Sequence, residues 1–166
     1  MEKKIENLKF ILTRLDTYIE STQNKSNLYL VLNTIVLGGV ITIISVLKDL
    51  NCIGYLIILL IIIAMASILS IIITLFVINP FMKNSIEKKK SIFFFSDIAS
   101  CSILAEYEKQ IENDDDAKLV HDLCSQIYSI SKGLNSKYNK LKFVGYSIAG
   151  EFILLAIWIV AYLITK

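Results

Sequence analysis

Apolar residues dominate three long segments of the chain, and polar residues separate these segments. The apolar segments cover residues 27–47, 52–79 and 143–164, and Pro80 closes the second one. Each segment reaches the roughly 20 residues that a helix needs to cross a hydrocarbon core about 30 Å thick. Since lipid offers the backbone no hydrogen-bond partners, such segments are expected to be helical. The pattern predicts three transmembrane helices, of which the first two form an antiparallel hairpin over residues 27–80.

Outside the predicted spans, apolar residues recur at intervals of three and four, which is typical of amphipathic helices. These stripes are Ile5, Leu8, Leu12, Leu15 and Ile19; Ile98, Cys101, Leu104, Tyr107 and Ile111; and Val120, Leu123, Ile127, Ile130, Leu134 and Leu141. They predict a helix in residues 1–26, a helical region in residues 81–142, and a final helix that continues unbroken into the third span. Asp116 is a candidate N-cap for that final helix. The expected fold class is an all-α integral membrane protein with three transmembrane helices and a small helical bundle.

The basic residues predict the orientation of the chain in the membrane. Five of them lie in residues 1–26 and ten in residues 83–142, whereas the opposite side offers only Lys48 and Lys166. Loops rich in Lys and Arg tend to stay in the cytoplasm. We therefore expect a cytoplasmic N-terminus, a cytoplasmic helical bundle and a C-terminus outside.

The composition agrees with a membrane protein and excludes several other classes. Hydrophobic residues make up 55% of the chain, charged residues 19%, and the mean hydropathy is +0.61. Soluble domains carry about 25% charge. The net charge of +2 is too small for a dedicated nucleic-acid-binding protein. The three cysteines show no CxxC spacing, so the sequence predicts neither a zinc site nor a disulfide framework.

The sequence offers little for catalysis. His121 has Asp122 as its direct neighbour, and adjacent residues on a helix do not face each other. Asp114–Asp116 form an acidic run without the glycine and the distant glutamate of a calcium loop. There is no glycine-rich phosphate loop and no serine elbow. We predict a protein that is not an enzyme and that holds no metal or cofactor.

Two polar residues inside the predicted spans are candidate functional residues. Glu151 lies nine residues after Lys142, roughly 13 Å along a helix. An ionisable group at that depth is costly, so Glu151 should face other helices or water rather than lipid. Asn33 on the first span is a plausible hydrogen-bond partner. Two interpretations stay open: Glu151 and Asn33 hold helices together, or they line a pore in a homo-oligomer.

Small residues at four-residue spacing mark positions where helices can approach closely in lipid. Such pairs are Gly145 with Ala149 on the third span and Ala66 with Ser70 on the second. The packing that they favour can lie within one chain or between chains.

A basic and aromatic group of residues suggests a ligand site outside the membrane. The run Lys88–Lys90 directly follows the second span and suits contact with anionic lipid headgroups. A sharper interpretation combines it with nearby rings and a carboxylate, which suit a small phosphorylated base. The candidate ligand-binding residues are then Lys90, Phe95, Asp97, Lys137 and Tyr138.

Several short motifs resemble the Pycsar transmembrane effector family. They are Asn79-Pro80, the segment SIFFFSDIA at residues 91–99, QIYSIS at residues 126–131 and NSKYNKL at residues 135–141, with Asn24-Lys25-Ser26 and Asn33 at the entry to the first span. The resemblance covers about residues 15–160. It offers no residue-level ligand motif that can be carried over to this chain.

The resemblance implies a function. Members of the family are bacterial antiphage proteins encoded with a pyrimidine nucleotide cyclase. By that resemblance, a cyclic mononucleotide, cCMP or cUMP, activates the protein, which then impairs the bacterial inner membrane. Two alternatives from the residues alone remain: a membrane anchor whose helices dock a cytoplasmic partner, and a small ion channel.

Overall fold

The structure is a computed structural model, and it describes residues 2–47, 54–79, 92, 95–112 and 115–165. The helices in this part are α1 (Glu2–Leu47), α2 (Gly54–Ile78), α3 (Phe95–Ala99), α4 (Leu104–Glu112) and α5 (Asp116–Thr165). No strand occurs among these residues. Helices α1, α2 and α5 are long and apolar enough to cross a membrane, as the prediction of three membrane-spanning helices requires. The predicted connection at residues 48–51 and the end of the hairpin at Pro80 lie outside the described residues.

Two of the helices are much longer than a membrane span. Helix α1 has 46 residues and joins the predicted amphipathic helix to the first span. Helix α5 has 50 residues and passes Lys142 without a break, so the prediction of a continuous final helix is confirmed. Polar side chains inside α1 do not interrupt it, because they bond back to its own backbone. The Ser26 hydroxyl, for example, donates to the Thr22 carbonyl at 2.8 Å.

The chain divides into two compact units. The first contains residues 1–20 and 81–136, and the second contains residues 21–80 and 137–166. Helices α1 and α5 therefore contribute to both units. In the first unit the predicted stripes supply the buried residues Leu15, Val120 and Leu123. The Tyr107 hydroxyl donates to the Ile92 carbonyl, and the Ile92 N–H donates to the Asp122 carboxylate.

The apolar stripe at residues 98–111 does not form one helix. Helix α3 ends in a tight turn in which the Ser100 N–H donates to the Asp97 carbonyl. Helix α4 begins four residues later, and its Glu106 carboxylate accepts a hydrogen bond from the Ser102 N–H at 3.0 Å. This bond satisfies an amide of the turn that precedes α4. The turn at residues 100–103 thus interrupts the helical periodicity.

The N-cap of α5 is Asp115 rather than Asp116. The Asp115 carboxylate accepts a hydrogen bond from the Lys118 N–H at 2.8 Å, which is the geometry of an N-cap. Asp116 is the first residue of the helix itself. A run of consecutive aspartates offers several candidate caps, and sequence alone did not separate them.

The second unit is a three-helix bundle in which α2 runs antiparallel to α5. Glu151 of α5 meets Ser67 of α2, while Trp158, two turns further along α5, meets Leu56. One end of the bundle has an apolar core, formed by Val36, Val40, Leu47, Leu56, Leu60, Ile63 and Trp158. The other part of the interior is polar, and its buried members are Thr22, Ser26, Asn33, Ser67, Ser70, Thr74 and Glu151. The candidate site lies in this polar part.

Candidate functional site: a polar seam between α2 and α5

The Glu151 carboxylate is buried between α5 and α2 and is bound by serine hydroxyls. It is only 1% exposed. Ser67 donates to its Oε2 at 2.7 Å, and Ser70 and Ser147 each lie 3.3 Å from its Oε1. Such hydroxyls replace water around a charged or polar group that lipid would leave unsolvated. Glu151 therefore faces its own chain's α2 rather than lipid, as expected for an ionisable residue within a span.

The three serines link the two helices into one network. The Ser70 hydroxyl also lies 2.9 Å from the Ser147 hydroxyl, to which it donates. Because a hydroxyl has one proton, the bonds run in series from Ser70 through Ser147 to Glu151. Ser67 and Ser70 lie three residues apart on α2, and Ser147 and Glu151 lie four apart on α5, so each pair occupies one face of its helix. This spacing is visible in the sequence, but it does not show which faces of α2 and α5 meet.

We call the contact that Ser67 and Ser70 of α2 make with Ser147 and Glu151 of α5 the α2–α5 seam. Further polar contacts extend this seam toward the apolar end of the bundle. The buried Trp158 donates from its indole Nε1 to the Leu56 carbonyl at 2.9 Å. Its ring stacks on Tyr162 with a centroid distance of 5.2 Å. Beyond it, the Tyr55 and Thr165 hydroxyls lie 3.3 Å apart. Trp158 is thus a contact inside the bundle.

At the opposite end of the seam, Lys137 of α5 bonds to the end of α2. Its Nζ donates to the Asn79 carbonyl, one residue beyond the helix, at 3.1 Å. Burial lowers the pKa of Lys137, and repulsion from the Lys140 charge lowers it further. On the neighbouring helix, the Lys25 ammonium lies 5.5 Å from the centre of the Tyr138 ring, a cation–π contact. The dipole of α2 favours a cationic group such as Lys137 near the carbonyl end of that helix.

Comparison with known proteins decides the family. The sequence model of the Pycsar effector protein domain matches residues 7–165, nearly the whole chain. The chain belongs to the Pycsar effector family. No curated protein and no solved structure gives a significant match. Family membership implies the role of an antiphage effector, in a family that is not a known enzyme family.

The hydrogen bond predicted between Asn33 and Glu151 of this Pycsar effector is not formed. The Asn33 amide nitrogen instead donates to the Tyr29 carbonyl within α1 at 2.9 Å. Its amide oxygen is buried without a hydrogen-bond partner. The prediction rested on similar depth in the membrane, but the serines of α2 and α5 already occupy the carboxylate. A local bond to the preceding turn competes well with a bond across helices.

The predicted ligand-binding residues lie partly outside the described residues and partly in different units of the chain. Lys90 lies outside the described residues, and Phe95 begins α3 with its side chain outside them. Asp97 belongs to the first unit, where its carbonyl accepts bonds from the Ser100 amide and hydroxyl. Lys137 and Tyr138 belong to the second unit and make the contacts given above. Nucleotide binding by these five residues stays a prediction.

Proposed function

We propose that this Pycsar effector is a ligand-gated membrane protein that impairs the bacterial inner membrane. In this proposal the first unit lies in the cytoplasm and a cyclic pyrimidine mononucleotide, cCMP or cUMP, is the activating ligand. The second unit crosses the membrane. Activation rearranges the spans and promotes a homo-oligomer that breaks the permeability barrier. The protein acts without catalysis and needs no cofactor.

The continuity of α5 is the observation that carries this proposal. The helix begins at Asp116 in the first unit and ends at Thr165 in the second, without a break. A continuous helix transmits displacement along its length, because each turn is bonded to the next. Glu151 sits on that same helix, bound to α2. A change at the start of α5 therefore has a direct mechanical route to the α2–α5 seam.

The described conformation corresponds in this proposal to the resting state. The Glu151 carboxylate and its serine partners satisfy one another inside a single chain, so they do not face a partner protomer. A pore-lining role for Glu151 requires α5 to separate from α2 and to present the carboxylate to water. Three spans enclose no water path by themselves, which is why activation is coupled to oligomerisation. The Glu151→Gln variant addresses this role, since unaltered ion flux in that variant would exclude it.

The energetic requirement on the ligand is simple. A ligand shifts a conformational equilibrium only as far as it binds one state better than the other. A shift from about 1% to about 99% of the active state needs a preference of roughly 10⁴-fold. The nucleotide must therefore bind the rearranged protein much more tightly than the resting one. Binding alone, measured in one state, does not establish gating.

Vesicle leakage tests the proposed function. Purified full-length protein is reconstituted into vesicles that contain a self-quenched dye, and cCMP, cUMP or a purine cyclic nucleotide is added. We expect dye release with a pyrimidine cyclic nucleotide and none with the purine compound or in protein-free vesicles. Vesicles that stay tight with every nucleotide, or that leak equally without any, would contradict the proposal.

A further inference from the structure

The charges of the second unit are strongly segregated. Its described residues contain one acidic side chain, Glu151, which is buried among serines. They contain four basic side chains, which lie where α1 and α5 enter the unit: Lys25, Lys137, Lys140 and Lys142. No carboxylate of the described part of this unit is therefore available to neutralise that end. Such an arrangement attracts an anion from outside the unit.

Among these lysines, Lys137 is the one that makes a contact between helices. Its ammonium donates to the Asn79 carbonyl at the end of α2. Partial burial and the neighbouring Lys140 disfavour its charged form, and together they lower the pKa of Lys137. Among the described residues, the ammonium thus has a carbonyl for a partner but no carboxylate. An anion that approaches Lys137 and Lys140 together would remove their mutual repulsion.

The Asn79 carbonyl and a bound anion compete for the Lys137 ammonium. The end of α2 carries the negative end of the helix dipole, which repels an anion. The Lys137 ammonium has three N–H groups, but repulsion between a bound phosphate and this end of α2 favours moving the ammonium away from Asn79. The attraction between the ammonium and a phosphate charge is also stronger than its attraction to a neutral carbonyl. Lys25, held over the Tyr138 ring, supplies a second cation from α1.

We propose that Lys137 is a displaceable tie. A phosphodiester anion bound by Lys137, Lys140 and Lys25 takes the Lys137 ammonium from the Asn79 carbonyl and so frees the end of α2 from α5. The inference rests on the proposed function, because it specifies how the ligand opens the seam. The shared chemistry is a phosphodiester monoanion, which both a cyclic nucleotide and an anionic lipid headgroup provide.

Leakage assays with three variants test the tie. Lys137→Met keeps the length of the side chain and removes its charge, so its vesicles should leak without nucleotide, close to the level of the fully activated wild type. Lys137→Arg can still donate to the Asn79 carbonyl and should stay tight until ligand is added. Lys132→Met, on the same helix but in the first unit, is the control and should behave as the wild type.

Each outcome has a distinct meaning. If the wild type responds to nucleotide but Lys137→Met vesicles are tight, the tie is refuted and the proposed function stands. If Lys137→Met leaks but the wild type never responds to nucleotide, the tie stands and the nucleotide is refuted as the ligand. Wild-type leakage in anionic vesicles without nucleotide identifies the headgroup as the source of the phosphodiester. Leakage in zwitterionic vesicles only with nucleotide identifies the nucleotide.

Hydrogen exchange on the wild-type protein gives a second measurement that does not depend on the folding of a variant. Addition of the active nucleotide or of anionic lipid should deprotect the amides of the last turn of α2, next to Asn79. The turns of α2 around Leu56 should keep their protection at low ligand concentration, because they are held by Trp158. Unchanged exchange at the end of α2, in a sample that leaks on activation, would overturn the proposal.

Discussion

At the scale of single residues, Glu151 shows how a carboxyl group is accommodated within a membrane helix. Placing a charged residue at the centre of a span costs at least about 2.5–3.5 kcal/mol on insertion scales. The hydroxyls of Ser67 and Ser147 offset that cost by direct hydrogen bonds, and Ser70 orients Ser147. The same bonds exist in only one register of α5 against α2. Glu151 therefore contributes as much to the alignment of the helices as to their affinity.

Truncation of Glu151 should weaken the bundle more than its conversion to an amide. Glu151→Ala leaves the Ser67 and Ser147 hydroxyls buried without their acceptor, and we expect the free energy of unfolding to fall by about 1–3 kcal/mol. Glu151→Gln keeps an acceptor oxygen in nearly the same place and should lose less than half of that. Thermal unfolding in detergent measures both. Equal losses for the two variants would mean that these hydrogen bonds do not stabilise the seam.

A second residue-scale prediction concerns the close approach of α1 to Gly145. A Cβ atom at this position would lie 3.1 Å from the Tyr29 hydroxyl oxygen and 3.5 Å from its Cζ, whereas at Gly150 it would meet nothing within 4 Å. Gly150→Ala should therefore stabilise the protein by about 0.5–1 kcal/mol through helix propensity. Gly145→Ala should gain less, because the Tyr29 ring must move.

Removal of the tyrosine hydroxyl is the control for this steric argument. In a Tyr29→Phe background the nearest atom to the new Cβ is the ring carbon, at an ordinary contact distance. Gly145→Ala should then stabilise the protein as much as Gly150→Ala does. A double-mutant cycle on the unfolding free energies measures the difference. No coupling between positions 29 and 145 would show that this contact does not limit the packing of α1.

At the scale of elements, the account depends on α5 acting as one helix. The residues between the two units contain no proline and no glycine from Leu134 to Val144, so nothing in this stretch interrupts the backbone hydrogen bonds. The last residues of the first unit and Lys137 lie on the same continuous helix. A signal that starts before residue 136 can therefore reach the seam without crossing a loop.

A proline in this stretch should abolish nucleotide-dependent leakage. Asn139 is exposed, so its side chain is not needed for packing. Asn139→Pro removes a backbone hydrogen bond and kinks the helix at a cost of about 3 kcal/mol. Asn139→Ala is the matched control. We expect the proline variant to lose nucleotide-dependent dye release and Asn139→Ala to keep it; a proline variant that still releases dye would show that activation does not need an unbroken α5.

The sequence predicted the long elements well because their signals are long. Twenty or more apolar residues are unambiguous, and no breaker separates residues 116–142 from the third span. Short-range structure was harder to predict: a turn at residues 100–103 splits the stripe at residues 98–111, and Asp115 replaces Asp116 as the cap. These outcomes depend on which of several nearby polar groups forms a hydrogen bond with a free backbone amide.

The candidate site was predictable only in part. The position of Glu151 away from lipid follows from the cost of exposing it, and the structure shows it buried. Its partners depend on the register between α2 and α5, which no single-helix pattern contains. The Asn33 amide bonds to its own helix instead of to Glu151, and a pattern along one helix does not predict this choice either. The ligand-binding role of Lys137 stays a prediction, and its contact with the end of α2 was not predicted, because the end of α2 is distant in sequence.

At the scale of the whole molecule, the proposed activation step is the opening of the α2–α5 seam. A cross-link over the seam tests whether this step is required. The Ser70 and Ser147 hydroxyl oxygens lie 2.9 Å apart, so cysteines at these positions are close enough to form a disulfide. The cysteine pair is placed in a chain in which Cys52, Cys101 and Cys124 are replaced by alanine. Variants with only one of the two new cysteines serve as controls.

The decisive measurement is nucleotide-dependent dye release from vesicles that contain this variant, first oxidised and then reduced. We expect oxidised vesicles to stay tight at saturating nucleotide and the same vesicles to release dye after a reductant is added. Single-cysteine controls should release dye in both conditions. Full release from vesicles in which mass spectrometry shows the disulfide intact would contradict the account, since activation would then proceed with α2 and α5 still joined.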